Sequence, residues 1–161
     1  MILKGSATNI TSTASDFGRA TRIRVSATNA GTVTVAAAVG TFDAQNAVNG
    51  TAITISNHGF VTGDEIVYSD GGGTAITELA DGGKYFVTKV DGNTVNLSTL
   101  LEGTAISLTD GGDENHTITA TRTYAGTVVL ASNQVVMIDK KPGDTIAASA
   151  TMTGTAIGNQ P

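Results

Sequence analysis

The sequence predicts an all-β protein: a β-sandwich or jelly-roll-like frame interrupted by an inserted small β-barrel or β-sandwich domain. Three observations carry the prediction. Thr makes up about one residue in six, and Gly is abundant while Pro is scarce, a mixture that favours strands through β-branching and tight turns through Gly. Polar and apolar side chains alternate with period two in short runs bounded by turn residues. The net charge also changes sign twice along the chain.

In residues 21–27 the alternation puts Ile23, Val25 and Ala27 on one face and Arg22 and Arg24 on the other. Asn29-Ala30-Gly31 supplies a turn and residues 32–36 continue the period, so 21–38 read as a hairpin. Ala36-Ala37-Ala38 is too short to stand as a helix. In the middle of the chain, residues 51–56 and 65–68 read as two strands joined by residues 58–64. Asp91-Gly92-Asn93 joins 84–90 to 94–98 in the clearest hairpin of the sequence. Towards the end, 127–130 and 134–138 are nearly continuous apolar runs, as for strands covered on both faces. Lys141-Pro142-Gly143-Asp144 has the chemistry of a type II turn, and residues 145–147 restart a strand. Gly-Thr-Ala-Ile recurs at Gly50, Gly73, Gly103 and Gly154, and Asp-Gly-Gly at Asp70, Asp81 and Asp110. The spacings are irregular, which suits reused turn-to-strand pieces and not a stacked repeat.

Charge divides the chain. Over 1–50, Lys4, Arg19, Arg22 and Arg24 oppose Asp16 and Asp43, a net of +2. Over 51–121, Lys84 and Lys89 face ten carboxylates, a net of -8, and over 122–161 Arg122, Lys140 and Lys141 against Asp139 and Asp144 leave +1. An inserted domain produces such a pattern, because the flanks form one body and the middle another. The expected division is a discontinuous frame of residues 1–50 plus 122–161 and an inserted acidic module of 51–121. Deleting 51–121 is expected to leave a foldable frame.

Composition narrows the function. Cysteine is absent, so no disulfide or thiolate metal site is available. No run reaches the ~20 apolar residues of a membrane span, and the N-terminus has no apolar signal region. The expectation is a soluble, unprocessed chain with no membrane partner. An acidic middle repels phosphates, which disfavours nucleic acid.

Residues 50–68, 84–97 and 116–119 resemble a β-module found in phage virion proteins and large bacterial surface adhesins. The flanks, through 17–26, 31–35 and 131–147, resemble more loosely a family of short marine-phage and cyanophage structural proteins. In its plain form that family runs from the first hairpin almost directly into the final strands, so the acidic module is a departure from it. The two resemblances imply a bacteriophage virion protein whose frame docks on the particle and whose module projects outward.

The candidate docking contacts are Arg19, Arg22, Arg24, Lys140 and Lys141, since interfaces are enriched in Arg. His58 and His116 are the only histidines and neither has a nucleophile motif nearby. His58 is expected to stabilise a turn, and His116 to occupy a cross-strand or edge position. Asp110, Asp113 and Glu114 offer oxygens for Ca²⁺ but lack EF-hand spacing. The expectation is a protein that is not an enzyme and holds no cofactor: a capsid decoration (cement) protein on a virion. It would bind the major capsid protein or other virion proteins and self-associate, with a trimer favoured. The alternatives are a neck, collar or tail component, a host-surface glycan-binding module, and a hydrolase working through paired carboxylates.

Overall fold

The computed structural model describes residues 2–3, 6–17, 19–109 and 111–158. Lys4, Gly18 and Asp110 therefore lie outside the described residues. The fold is all-β and sandwich-like, built from antiparallel sheets. The chain divides into two compact units, Met1–Ala37 with Arg122–Pro161, and Ala38–Thr121.

The first unit opens with β1 (Ile2–Leu3), β2 (Thr8–Ile10), β3 (Arg22–Ala27) and β4 (Gly31–Ala36). The second comprises β5 (Val39–Phe42), the single turn α1 (Ala44–Ala47), β6 (Val48–Asn49), β7 (Ala52–Thr54), β8 (Glu65–Ser69), β9 (Lys84–Lys89), β10 (Thr94–Ser98) and β11 (His116–Ala120). The chain then returns to the first unit with β12 (Gly126–Leu130), β13 (Val135–Asp139), β14 (Thr145–Ala148) and β15 (Met152–Gly158).

In the frame, β1-β15-β3-β13, with β2 also on β15, forms one sheet, and β12-β4-β14 forms the other. Alternation decides what each strand buries. Ile23, Val25 and Ala27 of β3, Val33 and Val35 of β4, and Ile146 and Ala148 of β14 meet Ile10, Leu130, Ile138 and Met152 in one core. β3 and β4 do not pair with each other: β3 pairs with β13 and β15, β4 with β12 and β14. The expected hairpin is therefore a corner at which the chain passes from one sheet to the other, and the segment between β12 and β13 makes the matching return. The runs at 127–130 and 134–138 are not covered on both faces: β12 and β13 lie at sheet edges, and their outward Thr127, Val129, Val135 and Met137 are exposed. The other edge of the three-stranded sheet is closed by the chain itself: Ser15 and Ile146 exchange both backbone hydrogen bonds (3.0 and 2.8 Å), and the Ala148 N–H donates to Thr11 (2.8 Å). The 141–144 turn closes through the Asp144 N–H to the Lys141 carbonyl (3.1 Å). Gly143 is not among the positive-φ glycines, so this is not the type II turn the sequence suggested.

The middle unit is one antiparallel sheet, β5-β11-β8-β9-β10-β7-β6, curled as a half-barrel. Its inward residues include Ile53, Ile66, Tyr68, Val87, Val95, Leu97 and Ile118, all buried. The Asp-Gly hairpin forms as expected, with Lys89 opposite Val95 and Phe86 opposite Ser98. The Asp91 carboxylate accepts from the Asn93 N–H at 2.7 Å, the local bond that makes Asp a turn former.

The boundary falls at 37/38 and not at 50/51. The cause is pairing: Val39–Phe42 runs antiparallel to β11, with Thr41 opposite Thr117 and Phe42 opposite His116. With Asp43 moved to its true unit, the middle carries -9. The frame, with Lys4, Arg19, Arg22, Arg24, Arg122, Lys140 and Lys141 against Asp16, Asp139 and Asp144, carries +4. Of the four Gly-Thr-Ala-Ile copies, only those at Gly50 and Gly154 enter strands, and the Asp-Gly-Gly copies at Asp70 and Asp81 are turns. Among the described residues no helix is long and apolar enough to cross a membrane.

Candidate docking face of the frame

The structure brings Arg22 and Arg24 onto the outer face of β3, because their inward neighbours fill the core. Register sets Arg22 opposite Asp139 on β13. The pair is bidentate, Nε to Oδ1 at 2.5 Å and Nη2 to Oδ2 at 2.9 Å. The guanidinium holds the Asp139 carboxyl below the usual carboxylate range, chiefly by hydrogen bonding. Arg24 is half-buried, with Met137 on one side and Thr155 on the other in register. Arg19 precedes β3 in the left-handed region (φ 62°), and Lys141 is half-exposed in the turn before β14.

Lys140 is not a surface contact. It is 4% exposed, and its ammonium donates to the carbonyls of Lys141 (3.1 Å) and Pro142 (3.5 Å). Burial lowers its pKa, against an opposing pull from Asp144. Beside it lies a cluster the sequence did not disclose. The Asp144 carboxylate is fully buried and accepts from Arg122 Nε (3.2 Å), from the Lys141 N–H (3.0 Å) and from the Tyr124 hydroxyl. Desolvation and then the bond to Asp144 push the Tyr124 phenol up to about 12. The cluster ties the start of the returning flank to the 141–144 turn.

In the middle unit both histidines are buried. His58 Nδ1 accepts the Phe60 N–H at 3.0 Å and Nε2 meets the Asp91 carbonyl at 3.1 Å. Since Nδ1 receives a proton donor, Nε2 carries the hydrogen and donates. His58 thus stabilises its turn, as expected, and links it to the Asp-Gly turn. His116 does not sit at an edge: β11 lies between β5 and β8. Its Nδ1 is 2.7 Å from the Tyr68 hydroxyl, which also accepts the Ile76 N–H (3.2 Å), and its Nε2 accepts the Asp113 N–H (3.2 Å). Burial raises the Tyr68 phenol. Nearby, Gln45, Asp113, Glu114 and Asn115 line an open depression of about 340 Å³. The Asp113 Oδ2 accepts from the Thr74 N–H (3.0 Å). Among the described residues no three His, Cys, Asp or Glu side chains gather as a metal set.

No family model, curated protein or solved structure matches this chain.

The outer face of the β13-β3-β15 sheet presents a half-buried Arg24, the Arg22–Asp139 pair, and exposed Val135 and Met137. Arg and Met are among the residues enriched in protein interfaces. The exposed apolar side chains were the missed residues here. Their signal was the stretch 123–138, sixteen residues without a charge.

Proposed function

We propose that the chain is a non-enzymatic structural protein of a tailed-phage virion, a decoration protein whose frame docks on the outside of the capsid lattice while the acidic middle unit projects. The observation that carries this reading is the division of charge between two bodies: a frame of net +4 built from both flanks and a middle unit of net -9. A basic body is attracted to an acidic particle surface, and an acidic one is repelled from it and held outward. The Arg24, Val135 and Met137 face gives the frame a contact surface. A modest contact is weak singly and firm when repeated over a symmetric array.

The test is quantitative protein analysis of purified particles from the phage that encodes the chain. A decoration role requires copies in a fixed ratio to the major capsid protein, whereas a few copies per particle point to neck, collar or tail. Arg24→Glu should weaken rebinding to stripped particles at least tenfold. Absence of the chain from purified particles would end the proposal. The polar depression at Gln45, Asp113, Glu114 and Asn115 supports a second reading, in which the middle unit binds host glycans. Binding of the full chain on a glycan array that is abolished by Asp113→Ala would favour it.

A further inference from the structure

We infer that β12 (Gly126–Leu130) is a self-association edge, at which the chain adds the same strand of a second copy, antiparallel, across a two-fold axis. Among the described residues β12 pairs with β4 alone. Its outer edge therefore presents backbone N–H and C=O groups, the template for strand addition. Edges are normally blunted by Lys, Pro, a bulge or extreme shortness. β12 has none of these: its sequence is Gly-Thr-Val-Val-Leu, five residues long, within the sixteen uncharged residues 123–138. The opposite edge of the same sheet is already occupied by residues 11–15, which leaves β12 as the open one.

Charge and register select a second copy as the occupant. An uncharged strand laid against itself brings no like charges together, and a Coulombic pull toward an acidic or basic foreign strand is absent. Val128 faces inward with Val33 yet is 44% exposed, and Val129 faces outward with Thr32 and is 74% exposed. Centring the two-fold on Val128 sets it opposite its own copy and places Val129 against Thr127 of the second copy. Both are β-branched pairs of the kind that stabilise adjoining strands. The result is one continuous six-stranded sheet, β14-β4-β12 followed by its symmetry mate. A five-residue strand covers about 17 Å of edge, and so short a contact falls short of the ~1,200 Å² from which stable interfaces are built. The pair is accordingly weak in dilute solution and sustained where copies stand side by side. It replaces the trimer expected from sequence with a dimer, and it draws on the virion reading only for the crowding.

Sedimentation equilibrium of the full chain up to about 1 mM reads this directly. The expected result is a rise from 16.2 kDa towards twice that mass, with the midpoint moved at least tenfold higher by Val129→Lys and unmoved by Leu100→Lys, a change at an equally exposed residue of the middle unit. Thr127→Lys serves as the second edge variant should Val129→Lys fail to fold. The native chain has no cysteine, so Val128→Cys reports the axis: oxidation should cross-link it, and should leave Val39→Cys monomeric. A chain that stays monomeric at 1 mM, a three-fold mass, or equal cross-linking at both positions overturns the inference. Particle binding is measured separately. Loss of pairing with binding intact sinks this edge alone, and pairing without binding sinks the virion reading alone.

Discussion

Ile118→Asp places a carboxylate in the fully buried centre of β11 and turns the two-unit architecture into a measurable quantity. Burying an unpaired charge costs several kcal/mol, comparable with the roughly 4–12 kcal/mol that holds a unit of this size together. The middle unit should therefore unfold in place. While folded, it holds its own ends together: the Ala120 N–H donates to the Ala38 carbonyl at 2.9 Å. To the frame it then counts as a loop of only a few residues. Once unfolded it becomes a loop of about 80, and the closure entropy rises by (3/2)RT ln of the length ratio, about 2–3 kcal/mol. The frame of the Ile118→Asp chain should thus unfold about 2 M earlier in urea, for m near 1 kcal/mol per M. A chain in which Ala38–Thr121 is replaced by a two-residue link should instead keep its frame within about 1 kcal/mol of the parent. Urea titration followed by amide NMR, with resonances assigned to each unit, separates the transitions. An unfolded excised frame, or a parent whose units melt in one inseparable transition, would refute the reasoning.

Arg122→Leu removes the guanidinium that pairs with the buried Asp144 carboxylate and should cost the frame about 3–5 kcal/mol, read as a fall in the frame's urea midpoint with the middle unit unchanged. Tyr124 is the only tyrosine of the frame, so its absorbance near 295 nm in the excised frame should titrate at about 12. Because that folded value lies above the unfolded ~10, the associated stability is complete below pH 10 and is lost as pH rises through 12; a midpoint near 10 would mean that neither burial nor the bond to Asp144 holds the phenol. Gly71 has φ +68° and a Cβ there would meet the Asn115 carbonyl at 2.7 Å, so Gly71→Ala should destabilise the middle unit by about 1–3 kcal/mol and leave the frame's transition in place.

Which faces are buried was legible in the sequence, and which strands are neighbours was not. Alternation over 21–27 identified Ile23, Val25 and Ala27 as inward, and the core contains them. Yet period two says nothing about pairing, and the corner between β3 and β4 passed for a hairpin because Asn-Ala-Gly suits either. The Asp-Gly hairpin succeeded because its turn bond lies within three residues. Charge revealed that the middle is a separate body, but between 38 and 50 it had only Asp43 to act on, so it could not detect that β5 belongs to that body. Lys140 misled for a related reason. A lysine at a strand end usually faces water, and here the carbonyls of Lys141 and Pro142 turn back to receive it. The Arg122–Tyr124–Asp144 cluster joins residues some twenty apart with no motif between them, and only the folded chain brings them together.

Because Ala38 and Ala120 leave the half-barrel side by side on adjacent strands, the insertion behaves as a cassette. The frame has only to supply two neighbouring attachment points, and any domain whose first and last residues lie a strand spacing apart satisfies them without retuning the frame's core. Lineages could then exchange the inserted unit while keeping the frame. The same two points offer an engineer a graft site at which foreign domains would be presented with both termini held.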